Sequence, residues 1–213
     1  MQYNTTSFRN YGFLGAKFSD SDLAPIKTEI DNIQNNFELY ESQKFNKILA
    51  GNIRREYQLS SESRRYVNDL FLPLIYDYND YFDYFRNFAI LTKPVPIVLD
   101  SCWVNFQKKY EFNPPHNHTG LLSFVLWTHV PYDMEEERIA SPGVESNTNS
   151  AGMFSFLYSN TLGKTTAHHI PIDKSMENNI LIFPSNFYHM VYPFFTSDGY
   201  RISVSGNFHL KID

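Results

Sequence analysis

The sequence predicts a mainly β fold with N-terminal helices (α+β): a jelly-roll core, or double-stranded β-helix, covered on one sheet by helices. Three observations predict it. Apolar residues of the first half recur at helical spacing. Beyond about residue 93 the pattern becomes short runs of β-formers punctuated by turn residues. The length, 213 residues, suits one β-barrel or sandwich domain. We therefore expect a single domain over 1–213, with a helical part over about 1–92 and the core over about 93–213.

Composition narrows the function classes. Hydrophobic residues are 42% and aromatics 17% of the chain, enough for a sizeable core. Eighteen basic residues against 23 acidic ones leave a net charge of −5, with no excess to neutralise phosphates. A nucleic-acid partner is not expected. The single cysteine, Cys102, can form neither an internal disulfide nor a thiolate cluster, and is expected to be buried. With no signal-like N-terminus and no apolar run of membrane-spanning length, we expect no membrane partner and a cytoplasmic location (host cytoplasm if viral).

In chain order, Leu23, Ile26, Ile30, Ile33 and Phe37 form one helical stripe, capped by Ser21 or Asp22, with Pro25 in the first turn. Gly51, in LAGNIRREYQL, is expected to stop a helix. A second helix opens at Ser60–Ser61 and runs through Tyr66, Leu70, Leu74 and Tyr78 towards Phe82, Phe85 and Phe88; Pro73 should kink or interrupt it. Its aromatic end, YDYNDYFDYFRNF, is interleaved with Asp, which favours packing on a sheet over stacking on bases. Pro94 and Pro96 then exclude a helix interior. Strands are expected at 98–106, 122–130, 153–158, 165–170, 180–183, 188–191 and 201–210. The 132–150 segment reads as a polar loop. Its acidic run, Glu135–Glu137, is either a solvated face or part of a lid that orients a basic peptide.

All seven histidines fall in the β half. His116 and His118 occupy alternate positions in NPPHNHTG, so an extended backbone sends both the same way, as a two-point metal clamp. A surface loop is the alternative. His189 follows an apolar strand and a Pro-Ser-Asn turn, which places it at the mouth of a sheet. Arg201 opens a strand of otherwise small and apolar residues, with Ser203 on the same face. A guanidinium facing inward there needs an anion, and a carboxylate fits its fork; facing outward, it would meet solvent or Asp198. His168 and His169 are adjacent and would point to opposite faces, while His129 and His209 read as surface residues.

The order His-x-His, distal His, Arg-x-Ser resembles the Fe(II)- and 2-oxoglutarate-dependent oxygenases. WVNFQKKYEFNPPHNHTGLLSFVLW, NILIFPSNFYHMVYPF and YRISVSGNFHL resemble the prolyl-hydroxylase-like branch found in marine phages and bacteria. LAGNIRREYQL is also similar to what precedes the barrel in phage members, so the likeness spans roughly residues 45–210.

The resemblance implies Fe(II) and 2-oxoglutarate as cofactors, with O2 as co-substrate. It implies His116, His118 and His189 as metal ligands. The majority pattern has a carboxylate where this chain has His118; Glu111 or Asp133, nearest in sequence, could complete the shell instead. Arg201 would pair with the distal carboxylate of 2-oxoglutarate, helped by Ser203. Asn105, alternating with Trp103 and Gln107, and Asn207 would face the same pocket or else hydrogen-bond within the sheet. The implied reaction hydroxylates a peptidyl (prolyl-like) or small-molecule substrate and releases succinate and CO2. Two other readings remain: a three-His zinc hydrolase or lyase on a cupin-like barrel, and a non-enzymatic jelly-roll binding or structural protein.

Overall fold

A computed structural model describes residues 1–6, 10–88, 93 and 95–211. The chain is mostly β. Six antiparallel strands form one sheet in the order β1 (Leu14–Lys17), β8 (Asn179–Pro184), β5 (Leu122–His129), β10 (Arg201–Leu210), β3 (Ile97–Gln107), β2 (Glu56–Gln58). Four form a facing sheet in the order β4 (Asn113–His116), β9 (Tyr188–Val191), β6 (Met153–Ser159), β7 (Thr165–Pro171). Together they are a jelly roll. Seven of these strands lie where the runs of β-formers between turn residues put them. β1, β2 and β4 are short and too poor in β-branched residues to show that signature.

Period-two alternation sorts the larger sheet into two faces. Cys102, Val104 and Phe106 of β3, Phe124 and Leu126 of β5, and Ile202 and Val204 of β10 pack beneath α1 (Asp20–Asn35) and α2 (Ser61–Phe82). Burial there pushes the Cys102 thiol pKa well up. The alternate residues Val125, Trp127, Leu181 and Phe183 meet Phe154 and Phe156 of the smaller sheet. With both faces covered, β5 is buried at all but its last residue.

Several local expectations are corrected. The cap of α1 is Ser19, whose Oγ accepts from the Asp22 N–H while Asp22 accepts from the Ser19 N–H, a reciprocal capping box. The earlier start moves Pro25 into the second turn. α2 runs through Pro73 without a break. A mid-helix proline costs about 3 kcal/mol, but Phe71 and Ile75 on either side are fully buried, and Phe71 meets Phe124 edge-on at 4.9 Å. Packing outweighs the lost backbone bond. Gly51 ends no helix: the single turn at Asn46–Ile48 is followed by extended chain that bridges Phe112 at Asn52. Pro94 and the Phe88 side chain lie outside the described residues.

The 132–150 segment is not a free loop. It contains α3 (Met134–Ala140), capped by Asp133, and Glu137 is fully buried. That carboxylate accepts the backbone N–H groups of Phe195 and Thr196, each at 2.7 Å, and the Thr196 hydroxyl. It is a staple rather than part of an acidic lid. Glu137→Ala leaves three part-buried donors without their acceptor and should lower stability by about 3 kcal/mol in urea unfolding. A loss below about 1 kcal/mol would show that the staple is not needed.

Among the described residues, no helix is long and apolar enough to cross a membrane.

Candidate metal and co-substrate site

β4 and β9 pair so that His116 stands opposite His189. His118 follows two residues after β4, and its N–H donates to the Ser185 carbonyl at 2.8 Å, which turns it back over the pair. One nitrogen from each imidazole lies within 4.8 Å of the other two. Two rings are held from behind. His116 Nδ1 is 2.7 Å from the Pro114 carbonyl and His189 Nδ1 is 2.9 Å from that of Phe187. A carbonyl can only accept, so Nδ1 carries the proton and Nε2 presents its lone pair.

Burial, more than anything else, lowers the pKa of all three, and their mutual proximity adds to it for His118 and His189. His118 falls to about 4. Three neutral, converging imidazoles are a donor set that fits a divalent transition metal such as Fe(II). No carboxylate joins them among the described residues. Glu111 is engaged by the N–H groups of Arg54 and Lys108, at 3.2 and 2.8 Å, and Asp133 caps α3.

Arg201 opens β10, faces between the sheets and is 1% exposed. Nε and Nη2 both donate to Gln107 Oε1, at 3.1 and 2.7 Å. Nη2 also reaches the Tyr192 carbonyl at 2.8 Å, and Nη1 reaches the Tyr132 hydroxyl at 2.6 Å and the Gly152 carbonyl at 3.1 Å. Every partner is neutral. Asp198, the carboxylate near it in sequence, pairs with Lys109 instead. A buried guanidinium without counter-charge is a place for an anion, and the cavity it lines also holds His116, His118 and His189.

A family model described as "Putative 2OG-Fe(II) oxygenase" matches residues 101–207, a stretch that contains every one of these groups. The chain belongs to the 2OG-Fe(II) oxygenase family. Its cofactors are Fe(II) and 2-oxoglutarate. Among solved structures, the oxygenase chain is similar to a prolyl-4-hydroxylase of Pseudomonas putida (11% identity, TM-score 0.56, 94% of each chain covered). It is similar also to a prolyl hydroxylase of Trichoplax adhaerens in complex with a peptide fragment (14%, TM-score 0.53, 93% of this chain and 84% of that one). A third is AviO1 from Streptomyces viridochromogenes Tue57 (10%, TM-score 0.51, 95% and 91%). At such identities the likeness is one of fold. No curated protein matches the sequence.

The oxygenase cavity is also lined by Asn105 and Ser203, which bind each other: Asn105 Nδ2 donates to Ser203 Oγ at 3.2 Å and to Ser205 Oγ at 3.3 Å. Asn207 is not in that lining. Its Oδ1 accepts from Ser123 at 2.7 Å and its Nδ2 donates to Ser101 at 3.0 Å. Sharing a strand face with Arg201 does not make it a neighbour, since six residues of strand span about 20 Å. Tyr132 escaped the sequence reading: nothing local marks one among 15 tyrosines. Burial raises its pKa against the opposing pull of Arg201, so its hydroxyl stays protonated.

Proposed function

We propose that this oxygenase is a hydroxylase of a peptidyl (prolyl-like) or small-molecule substrate. In the proposed reaction 2-oxoglutarate, O2 and a C–H bond become succinate, CO2 and C–OH. The observation that carries this reading is the charge-unbalanced Arg201 in one cavity with three converging imidazoles. Bound iron supplies the oxidising chemistry. His116, His118 and His189 would hold it. Arg201 would take the distal carboxylate of 2-oxoglutarate, its guanidinium held in place by the Tyr132 hydroxyl that accepts from Nη1. Phe154, stacked on His189 at 5.5 Å, and Phe183 at 5.0 Å would keep water from that side of the three imidazoles.

A peptidyl substrate is supported by an open cleft that has Ile53 in common with the lining of the cavity and is walled by Arg54, Lys108, Lys109 and the exposed Tyr110. A cleft beside the metal site suits an extended chain. A zinc hydrolase has no comparable use for a guanidinium buried beside the metal.

The test is turnover. Iron-loaded protein with 2-oxoglutarate and proline-containing peptides should release succinate and add one oxygen atom to a peptide. Succinate release without any oxygenated product in peptide or small-molecule panels would sink the hydroxylase reading. Zinc-dependent hydrolysis without succinate would install the hydrolase.

A further inference from the structure

At and behind one wall of the oxygenase cavity lie two buried oxygens that meet no donor. Glu56 on β2 is 1% exposed; its Oε2 accepts from Asn46 Nδ2 at 3.0 Å, and its Oε1 has no partner. Asn113, the first residue of β4, lines the cavity. Its Oδ1 is likewise buried without a partner. Both oxygens press on one residue: a Cβ placed on Gly51 would lie 2.6 Å from Asn113 Oδ1 and 2.9 Å from Glu56 Oε1. Only glycine permits that approach.

Two acceptors converging in a dry wall each forfeit a hydrogen bond, about 1–3 kcal/mol apiece. A proton between them removes the penalty, and only the carboxyl can carry it. The surroundings favour that neutral form. Burial first, and the Glu111 carboxylate in the turn before β4 second, push Glu56 up to about 8. The other groups around it, Asn46 and its cross-strand partner Asn105, are neutral. On its own strand side, the Arg55 guanidinium is bound to the Tyr200 hydroxyl and lies over the Phe37 ring.

We propose that Glu56 is a positioning residue for the co-substrate. As a neutral acid it donates its O–H to Asn113 Oδ1 and so aims Asn113 Nδ2 into the cavity, as a donor to an oxygen of bound 2-oxoglutarate. The proposal rests on the co-substrate reading above. When Glu56 ionises, the carboxylate attracts the amide N–H2, Asn113 turns round, and an acceptor faces the ligand's acceptor. Co-substrate affinity therefore falls as pH rises through the Glu56 transition.

Stability moves with the same sign. The unfolded carboxyl titrates near its ordinary 4.5 and the folded one near 8, so the neutral form's advantage is complete below the first value and is lost as pH rises through the second.

The experiment is anaerobic titration of iron-loaded protein with 2-oxoglutarate between about pH 6.5 and about pH 9, beside thermal unfolding of the same proteins. Wild type should lose roughly tenfold in affinity across the range, the worth of one hydrogen bond to a charged ligand. Glu56→Gln keeps an N–H donor for Asn113 Oδ1 and cannot ionise. It should bind as wild type does at low pH, without that slope, and should melt higher than wild type on the alkaline side. Asn113→Ala should bind roughly tenfold more weakly throughout. A Glu56→Gln protein with the wild-type slope, or an Asn113→Ala protein with wild-type affinity, overturns the proposal. If no protein, wild type included, binds 2-oxoglutarate, the co-substrate reading fails instead. The alkaline melting difference then decides the Glu56 proton, and equal melting temperatures would overturn it.

Discussion

Arg201→Leu should weaken 2-oxoglutarate binding by at least about a hundredfold while leaving metal binding within a few-fold of wild type. Removing one partner of a buried charge pair costs about 3–5 kcal/mol, and each 1.4 kcal/mol is about tenfold. The guanidinium contacts none of the three imidazoles, so the metal should not notice its loss. Arg201 also ties together Gln107, Tyr132, Gly152 and Tyr192, so a leucine there could damage the fold. Arg201→Lys separates the two effects. It keeps the charge and loses the planar fork, and should bind roughly tenfold more weakly than wild type. The readout is the visible charge-transfer band of the iron–keto-acid chelate, titrated without oxygen. Unchanged affinity in the lysine and leucine variants together would remove Arg201 from the co-substrate site.

His189→Ala should abolish stoichiometric metal binding. His189 is 4% exposed, holds its tautomer through the Phe187 carbonyl, and faces His116 with ring centres 4.3 Å apart. Without it two imidazoles remain, one of them on a segment outside the strands. Metal at about a hundred times its dissociation constant stabilises a folded protein by about 2.7 kcal/mol. Wild type should therefore melt several degrees higher with Fe(II), or with Co(II) as an oxidation-stable substitute, and His189→Ala should show no such shift. His118→Asp, which restores a carboxylate, should keep it. A full metal-dependent shift in His189→Ala would mean that the ion sits elsewhere.

The strands were legible wherever a run of β-formers stands between turn residues. The seven predicted runs, including 188–191 and 201–210, needed only that local signature. The period of two along a strand turned Arg201 inward with Ser203, whereas His118, two residues past β4, owes its place over the pair to the Ser185 carbonyl. The resemblance supplied the chemistry that these positions share.

What stayed hidden was long-range. Pro73 breaks helices by local rule, and only the packing of Phe71 and Ile75 on the sheet keeps α2 whole. Glu137 looked like one of three exposed acids until its bonds to residues 58 and 59 positions away were in view. Asn207 shares a face with Arg201 yet belongs to another cluster, because alternation reports direction and not distance. Gly51, Glu56 and Asn113 meet through the pairing of β2 with β3 and the bridge from Asn52 to Phe112. Side-chain direction repeats every two residues and can be read locally, whereas the neighbours a side chain meets depend on register and on how the sheets close.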